Sequence, residues 1–221
     1  MRYFLVILCG IIVASNACEK ASDPSRITSA GGSVTEIIYL LKAENNLIAV
    51  DVTSNYPLEA KKLPSIGYVR QLSAEGLLSL DPTIIIGEDD MGPPSVLDQI
   101  KRTQVEITII PEEHNVEGIL NKIECISSVI GIDSEAIINS TVIPKITKLN
   151  QLTQDSKKQK IIYILGMQSG SPLVAGNNTS GDGLIKISGG VNPFSTFEGW
   201  KPVGTESIIE ASPDLIIISE R

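Results

Sequence analysis

Apolar residues in this chain fall into short continuous runs, separated by turn residues or by segments of helical period. Leu47 to Val50, Thr83 to Ile86, Glu106 to Ile110 and Lys160 to Leu165 are runs of this kind, and Arg26 to Ser29 begins another. Their β-branched content predicts strands of a parallel sheet covered on both faces. Between them, Val34 to Leu41, Pro93 to Lys101 and Val116 to Ile130 have helical spacing. Ser33, with Glu36 three residues on, reads as a capping box for the first of these. Ser73 is placed to cap a short helix that Asp81-Pro82 stops just before the strand at Thr83. The order β-α-β-α-β-α predicts a parallel sheet flanked by helices.

Residues 133 to 154 form a longer, mostly polar helical stretch with apolar points at Ile137, Ile138, Val142, Ile146, Leu149 and Leu152. Pro144 falls within it and should kink or interrupt it. The sheet pattern then restarts, followed by a Gly/Ser/Pro loop and a helix from Asp182 to Ile187. One unit occurs twice. Gly67 to Ile86 runs aromatic-plus-base, short helix, proline, buried strand, and Trp200 to Ile218 repeats that order. In each copy a glutamate, Glu75 or Glu206, stands seven residues before the proline. The expectation is an α/β protein of two lobes, each with a mostly parallel sheet flanked by helices, joined by one long linker helix, with a cleft between. The boundaries expected are 26–131 for the N-terminal lobe, 132–157 for the linker and 158–221 for the C-terminal lobe. Only Ser219, Glu220 and Arg221 follow the last apolar run. A second lobe built like the first would need another helix and strand, so the chain is expected to be truncated there.

The first residues change the picture of where the protein works. Arg2, the apolar run Phe4 to Ala14 and Ser15-Asn16-Ala17 read as an export signal, residues 1–17, with a small-x-small cut. The run is too short to span a bilayer. Cys18 directly follows the cut, where a bacterial lipoprotein carries its lipid, although Asn16 suits that processing poorly; both fates stay open. Residues 18–25 read as a polar leader. Cys125 lies in an apolar helical pattern and reads as a buried free thiol, and the three cysteines have neither disulfide-framework nor zinc spacing. A net charge of −8 argues against a nucleic-acid partner, which needs a basic footprint. Aromatic residues make up only 4% of the chain, so each exposed tyrosine or tryptophan is a functional candidate.

Arg26-Ile27-Thr28-Ser29-Ala30-Gly31-Gly32-Ser33, Asp51 to Pro57, Gly67-Tyr68-Val69-Arg70-Gln71, Pro172 to Gly176 and Gly199-Trp200-Lys201-Pro202, in that order, resemble the haem-binding periplasmic proteins of bacterial haem-uptake ABC transporters. The resemblance runs from Arg26 to the end and implies two lobes bridged by a rigid helix. It implies that Tyr68 is the axial ligand of ferric haem, and the chemistry agrees. Ferric iron is a hard Lewis acid and a phenolate oxygen suits it. A phenol with a pKa of about 10 needs the metal and a nearby cation to ionise at neutral pH. Arg70, two residues on in what reads as an extended segment, is placed to serve the phenolate or a haem propionate. Some members carry a histidine in the opposite lobe near the loop that here reads Gly166 to Pro172; this chain has none there, and Met167 is the thioether or apolar contact left. Lys201 is the second base for the cleft. Related cobalamin-uptake proteins imply that Glu75 and Glu206 dock on arginines of a membrane permease, with an ATPase reached through that permease. A monomer is expected, with modest lobe movement.

Other classes fit less well. No nucleophile elbow or phosphate loop occurs, and the one histidine, His114, reads as an exposed loop residue, so an enzyme is a remote alternative and no catalytic cofactor is expected. Glu88, Asp89 and Asp90 follow a strand, where α/β sites often lie, but read as a solvated loop. The nearer alternatives are siderophore, cobalamin or bare ferric iron.

Overall fold

The computed structural model describes residues 18–154 and 157–219. The expected export signal lies outside them. The N-terminal lobe holds β1 (Ile27–Ala30), α1 (Gly32–Leu40), β2 (Leu47–Val50), α2 (Ala74–Leu78), β3 (Ile84–Glu88), α3 (Pro94–Ile100), β4 (Glu106–Ile110) and α4 (Val116–Ile130). Its four strands are all parallel, in the order β2-β1-β3-β4. The Ile84-Ile85-Ile86 run shows why. Ile84 and Ile86 pack with Ile27, Val34, Ile38, Ile126 and Val129 on the α1/α4 side. Ile85 packs with Leu72, Leu77, Leu97 and Ile100 on the α2/α3 side. Alternating side chains point to opposite faces of a strand, so an unbroken apolar run requires both faces to be covered.

Two local expectations change. Ser33 does not cap α1; Gly31 takes the cap position without a side-chain bond, and the Ser33 hydroxyl donates instead to Glu88 across the sheet edge. Ser73 does cap α2, accepting from the Gly76 N–H, and Asn115 caps α4 in the same way. Cys18 and Cys125 are joined in a disulfide, 107 residues apart in sequence and 4.9 Å between Cα atoms. The free thiol expected at Cys125 is thereby corrected: a bond between such distant positions leaves no trace in local spacing. In the chain-entropy account, closing a loop of that size stabilises by about 5 kcal/mol.

Between the lobes runs one helical segment: α5 (Glu135–Ile137), a π-helical stretch Ile138–Val142, and α6 (Ile143–Thr153). The interruption expected at Pro144 takes this form. A proline lacks the N–H and crowds the carbonyl four residues back, and a widened turn just before it relieves both problems.

The C-terminal lobe holds β5 (Ile161–Gln168), β6 (Ser171–Ala175), α7 (Ser180–Ile187), β7 (Trp200–Pro202), α8 (Thr205–Ala211) and β8 (Leu215–Ile218). Its sheet, ordered β7-β6-β5-β8, is mixed rather than mostly parallel: only β5 and β8 run parallel, while β5-β6 and β6-β7 are antiparallel. Ser169 and Gly170, both at positive φ, close the β5-β6 hairpin, a tight reversal that the repeat unit did not contain. The repeat itself is visible as helix, proline and parallel strand in both lobes, α2 to β3 and α8 to β8. Among the described residues no helix is long and apolar enough to cross a membrane.

Candidate inter-lobe binding site

Parallel pairing brings the carboxyl ends of β1 to β4 to one edge, and the loops leaving them form a rim. Asp51, almost fully buried, ties two of these loops together. Its Oδ1 accepts from the Gly31 N–H at 3.1 Å and from Ser54 Oγ at 2.8 Å; Oδ2 accepts from the Thr53 N–H at 3.0 Å. Gly31 must be glycine, since its φ is 145° and a Cβ there would stand 2.7 Å from Glu88 Cδ.

Tyr68 sits on the next loop. The Gly67 carbonyl accepts from Val52, beyond β2, at 3.0 Å, and the Val69 carbonyl accepts from Gly92, beyond β3, at 2.9 Å. The Gln71 N–H donates to the Tyr68 carbonyl at 2.8 Å, so Tyr68 to Gln71 is a turn and not the extended segment expected. Gly67, at φ 87°, starts it. The outcome for the side chains is nevertheless the one expected. Val69 is buried, while Tyr68, 40% exposed, and Arg70 both face outward.

Arg70 is not a free surface charge. Its Nε donates to Asp90 Oδ2 at 2.7 Å and its Nη2 lies 2.6 Å from the same oxygen. That hydrogen bond is the main reason the guanidinium pKa is raised above its ordinary value; the Tyr68 hydroxyl is close enough to add a smaller contribution of the same sign, and burial opposes both. The acidic run that ends β3 and continues beyond it, read as a solvated loop, is therefore structural on two sides. Asp90 holds Arg70, and Glu88 accepts from the buried Lys122 Nζ at 3.0 Å, which also donates to Glu112 at 3.2 Å. Sequence reasoning missed both Asp90 and Lys122.

Where the lobes meet, a cavity of about 360 Å3 opens between α1, the loop before α4 and α7. Ser33, Glu36, His114, Lys122, Gly183 and Leu184 are among its walls. The lobes approach closely there: a Cβ on Gly183 of α7 would stand 2.3 Å from the His114 carbonyl oxygen. Glu36 is exposed by its surface area, yet crowding by the walls removes water from it and raises its carboxyl pKa above the ordinary value.

In the C-terminal lobe Met167 projects at the end of β5, 69% exposed. It pairs with Pro172 near the β5-β6 hairpin, whereas Lys201 lies across β6 on β7, paired with Val174. Lys201 is exposed, with its ammonium 5.2 Å from the centre of the Phe197 ring, a cation–π distance. The structure brings Tyr68 and Arg70 together on one lobe and puts Met167 and Lys201 apart on the other, with β6 between their strands. Glu75 and Glu206 occupy the first turns of α2 and α8, exposed, one on each lobe.

Two α/β lobes, one on a parallel and one on a mixed sheet, joined by a helical segment, are the architecture of a solute-binding protein, and the comparisons agree. The chain matches the periplasmic binding protein family over residues 27–221 and belongs to that family. Among solved structures it is similar to the periplasmic heme binding protein HutB of Vibrio cholerae, with 36% identity and a TM-score of 0.78 over 90% of this chain and 77% of that one. Among curated proteins it is similar to the vitamin B12-binding protein of Vibrio parahaemolyticus, 27% identical over 92% of this chain and 74% of that protein. It is also similar to the uncharacterized ABC transporter substrate-binding lipoprotein YvrC of Bacillus subtilis, 21% identical over 90% of this chain. The chain spans 64% of the length of YvrC. The family and these relatives are binding proteins rather than enzymes.

Proposed function

We propose that this protein carries ferric haem between its lobes, with Tyr68 as the axial ligand, and delivers it to an inner-membrane ABC importer. The observation that carries the reading is the Tyr68 phenol on the rim of the N-terminal lobe, outward-facing and beside a guanidinium that Asp90 holds in place. A phenolate oxygen is a hard donor suited to ferric iron, and a guanidinium beside it can donate a charge-assisted hydrogen bond to that oxygen or to a propionate. Similarity to HutB supports haem as the cargo.

In this reading Arg70 serves the phenolate or a propionate, Lys201 serves a propionate from the other lobe, and Met167 lies against the porphyrin face. Residues 26–131 and 158–221 act as the two lobes, and 132–157 as the linker. Glu75 and Glu206, one per lobe, dock on basic residues of the permease. Residues 1–17 direct export to the periplasm. Absorbance titration of the mature protein with hemin tests the site: a high-spin ferric tyrosinate spectrum is expected for wild type and its loss for Tyr68→Ala. Identical spectra for the two would remove Tyr68 from the iron. The vitamin B12-binding relative supports cobalamin as the second reading. Saturable binding of cobalamin with no binding of hemin would replace the first reading with it.

A further inference from the structure

We propose that Cys18 remains the disulfide partner of Cys125 in the exported protein and carries no lipid, so that this residue does not tether the carrier to a membrane. A cysteine has one sulfur. A lipoprotein uses it for a thioether to diacylglycerol, and the structure uses it for a bond to Cys125 Sγ. The two uses exclude each other.

The surrounding contacts hold the whole segment, not the sulfur alone. The Cys18 carbonyl accepts from Ser128 Oγ at 2.8 Å, and the Ala21 N–H donates to the Val129 carbonyl at 2.9 Å, beside the carboxyl end of α4. Ala21 is 6% exposed and belongs to the N-terminal core, and the Ser22 N–H donates to Glu106 at 3.1 Å. Lys20 lies against Gly131, where an added Cβ would stand 2.7 Å from its Cε. Residues 18–22 are thus a docked strap, whereas a lipid anchor needs a length of free chain to hold its domain away from the bilayer.

The position of the anchor point also matters. Cys18 and Cys125 line a small pocket with Pro111, Glu113 and Gly118. That loop continues into His114, which meets α7 of the other lobe. A lipid on Cys18 would hold the bilayer beside the joint between the lobes, where a carrier must open.

Formation of the bond requires an oxidising compartment and a protein-disulfide oxidant. One cysteine thiolate attacks the oxidant's disulfide, the second displaces it from the mixed disulfide, two protons are lost, and the oxidant leaves as a dithiol carrying the two electrons.

The full chain, expressed with its own first residues in a Gram-negative host, gives the test by intact-mass measurement and thiol alkylation before and after reduction. The proposal expects recovery in the osmotic-shock fraction, no alkylation before reduction, two sites after it, and a mass two hydrogens below that of the reduced chain. An acyl-bearing Cys18 with Cys125 alkylated without reduction, or a mature chain beginning beyond Cys18, overturns it. Cys125→Ser separates lipid chemistry from the cross-link. Release with Cys18 as an alkylatable thiol is expected, and acylation of Cys18 in both this variant and the wild type overturns the proposal. None of these readouts involves haem.

Discussion

Asp90 Oδ2 receives both the Nε and the Nη2 of Arg70, at 2.7 and 2.6 Å, while Asp90 Oδ1 is enclosed with no hydrogen-bond partner among the described residues. The pair is partly exposed, so its share of folding stability is small, about 0–1 kcal/mol. Its effect on the site is larger, because it decides where the guanidinium stands relative to Tyr68. Asp90→Ala is expected to leave the denaturation midpoint nearly unchanged. Hemin affinity should fall by up to about tenfold, as for loss of a charge-assisted hydrogen bond, and the tyrosinate band should shift. Titration beside thermal melting checks both parts.

Lys122 presents the opposite balance. Its side chain is 8% exposed and serves Glu88 and Glu112 together. Lys122→Met strands two carboxylates around an apolar side chain and should cost about 3–5 kcal/mol in urea unfolding. Adding Glu88→Gln should recover part of the loss, and strictly additive losses would show that the three groups do not act as a unit.

Two glycines, Gly183 at the joint between the lobes and Gly76 inside α2, give contrasting expectations. At Gly183 a Cβ would meet the His114 backbone at 2.3 Å, so Gly183→Ala must push α7 away and should cost about 1–3 kcal/mol. At Gly76 the nearest atom to a new Cβ is 3.6 Å away, an ordinary contact, and Gly76→Ala should be neutral or stabilising by up to about 1 kcal/mol. Denaturant midpoints of the two variants check the pair.

Glu36 sets a pH dependence. Its folded-state pKa is raised by desolvation, so between the ordinary value and the raised one the folded protein binds more protons than the unfolded chain. Its favourable contribution is complete below the unfolded value and lost as pH rises through the folded one. Glu36→Gln should therefore stabilise relative to wild type at pH 7, with the difference vanishing below about pH 4. Chemical denaturation across that range gives the curve.

The sheet of the N-terminal lobe was legible because an unbroken β-branched run such as Ile84 to Ile86 has one structural solution, and the paired units containing Glu75 and Glu206 showed that the solution recurs. Ser73 announced its helix because its own N–H partner lies three residues away. What stayed hidden was non-local. An acidic run reads alike whether water or Arg70 and Lys122 stand opposite, since those partners lie 20 and 34 residues away. Cys18 and Cys125 gave no spacing to read. The β5-β6 hairpin turned the second sheet mixed because Ser169 accepts a left-handed conformation that its residue type does not advertise.

Ile84, Ile85 and Ile86 are fully enclosed, gripped from above and below by helices. The first half of the molecule therefore offers its cargo an anvil: a packed floor, with the contacts to a guest left to the outlying side chains. Tuning such a carrier for a differently shaped guest would mean rewriting its lip while leaving its foundation alone.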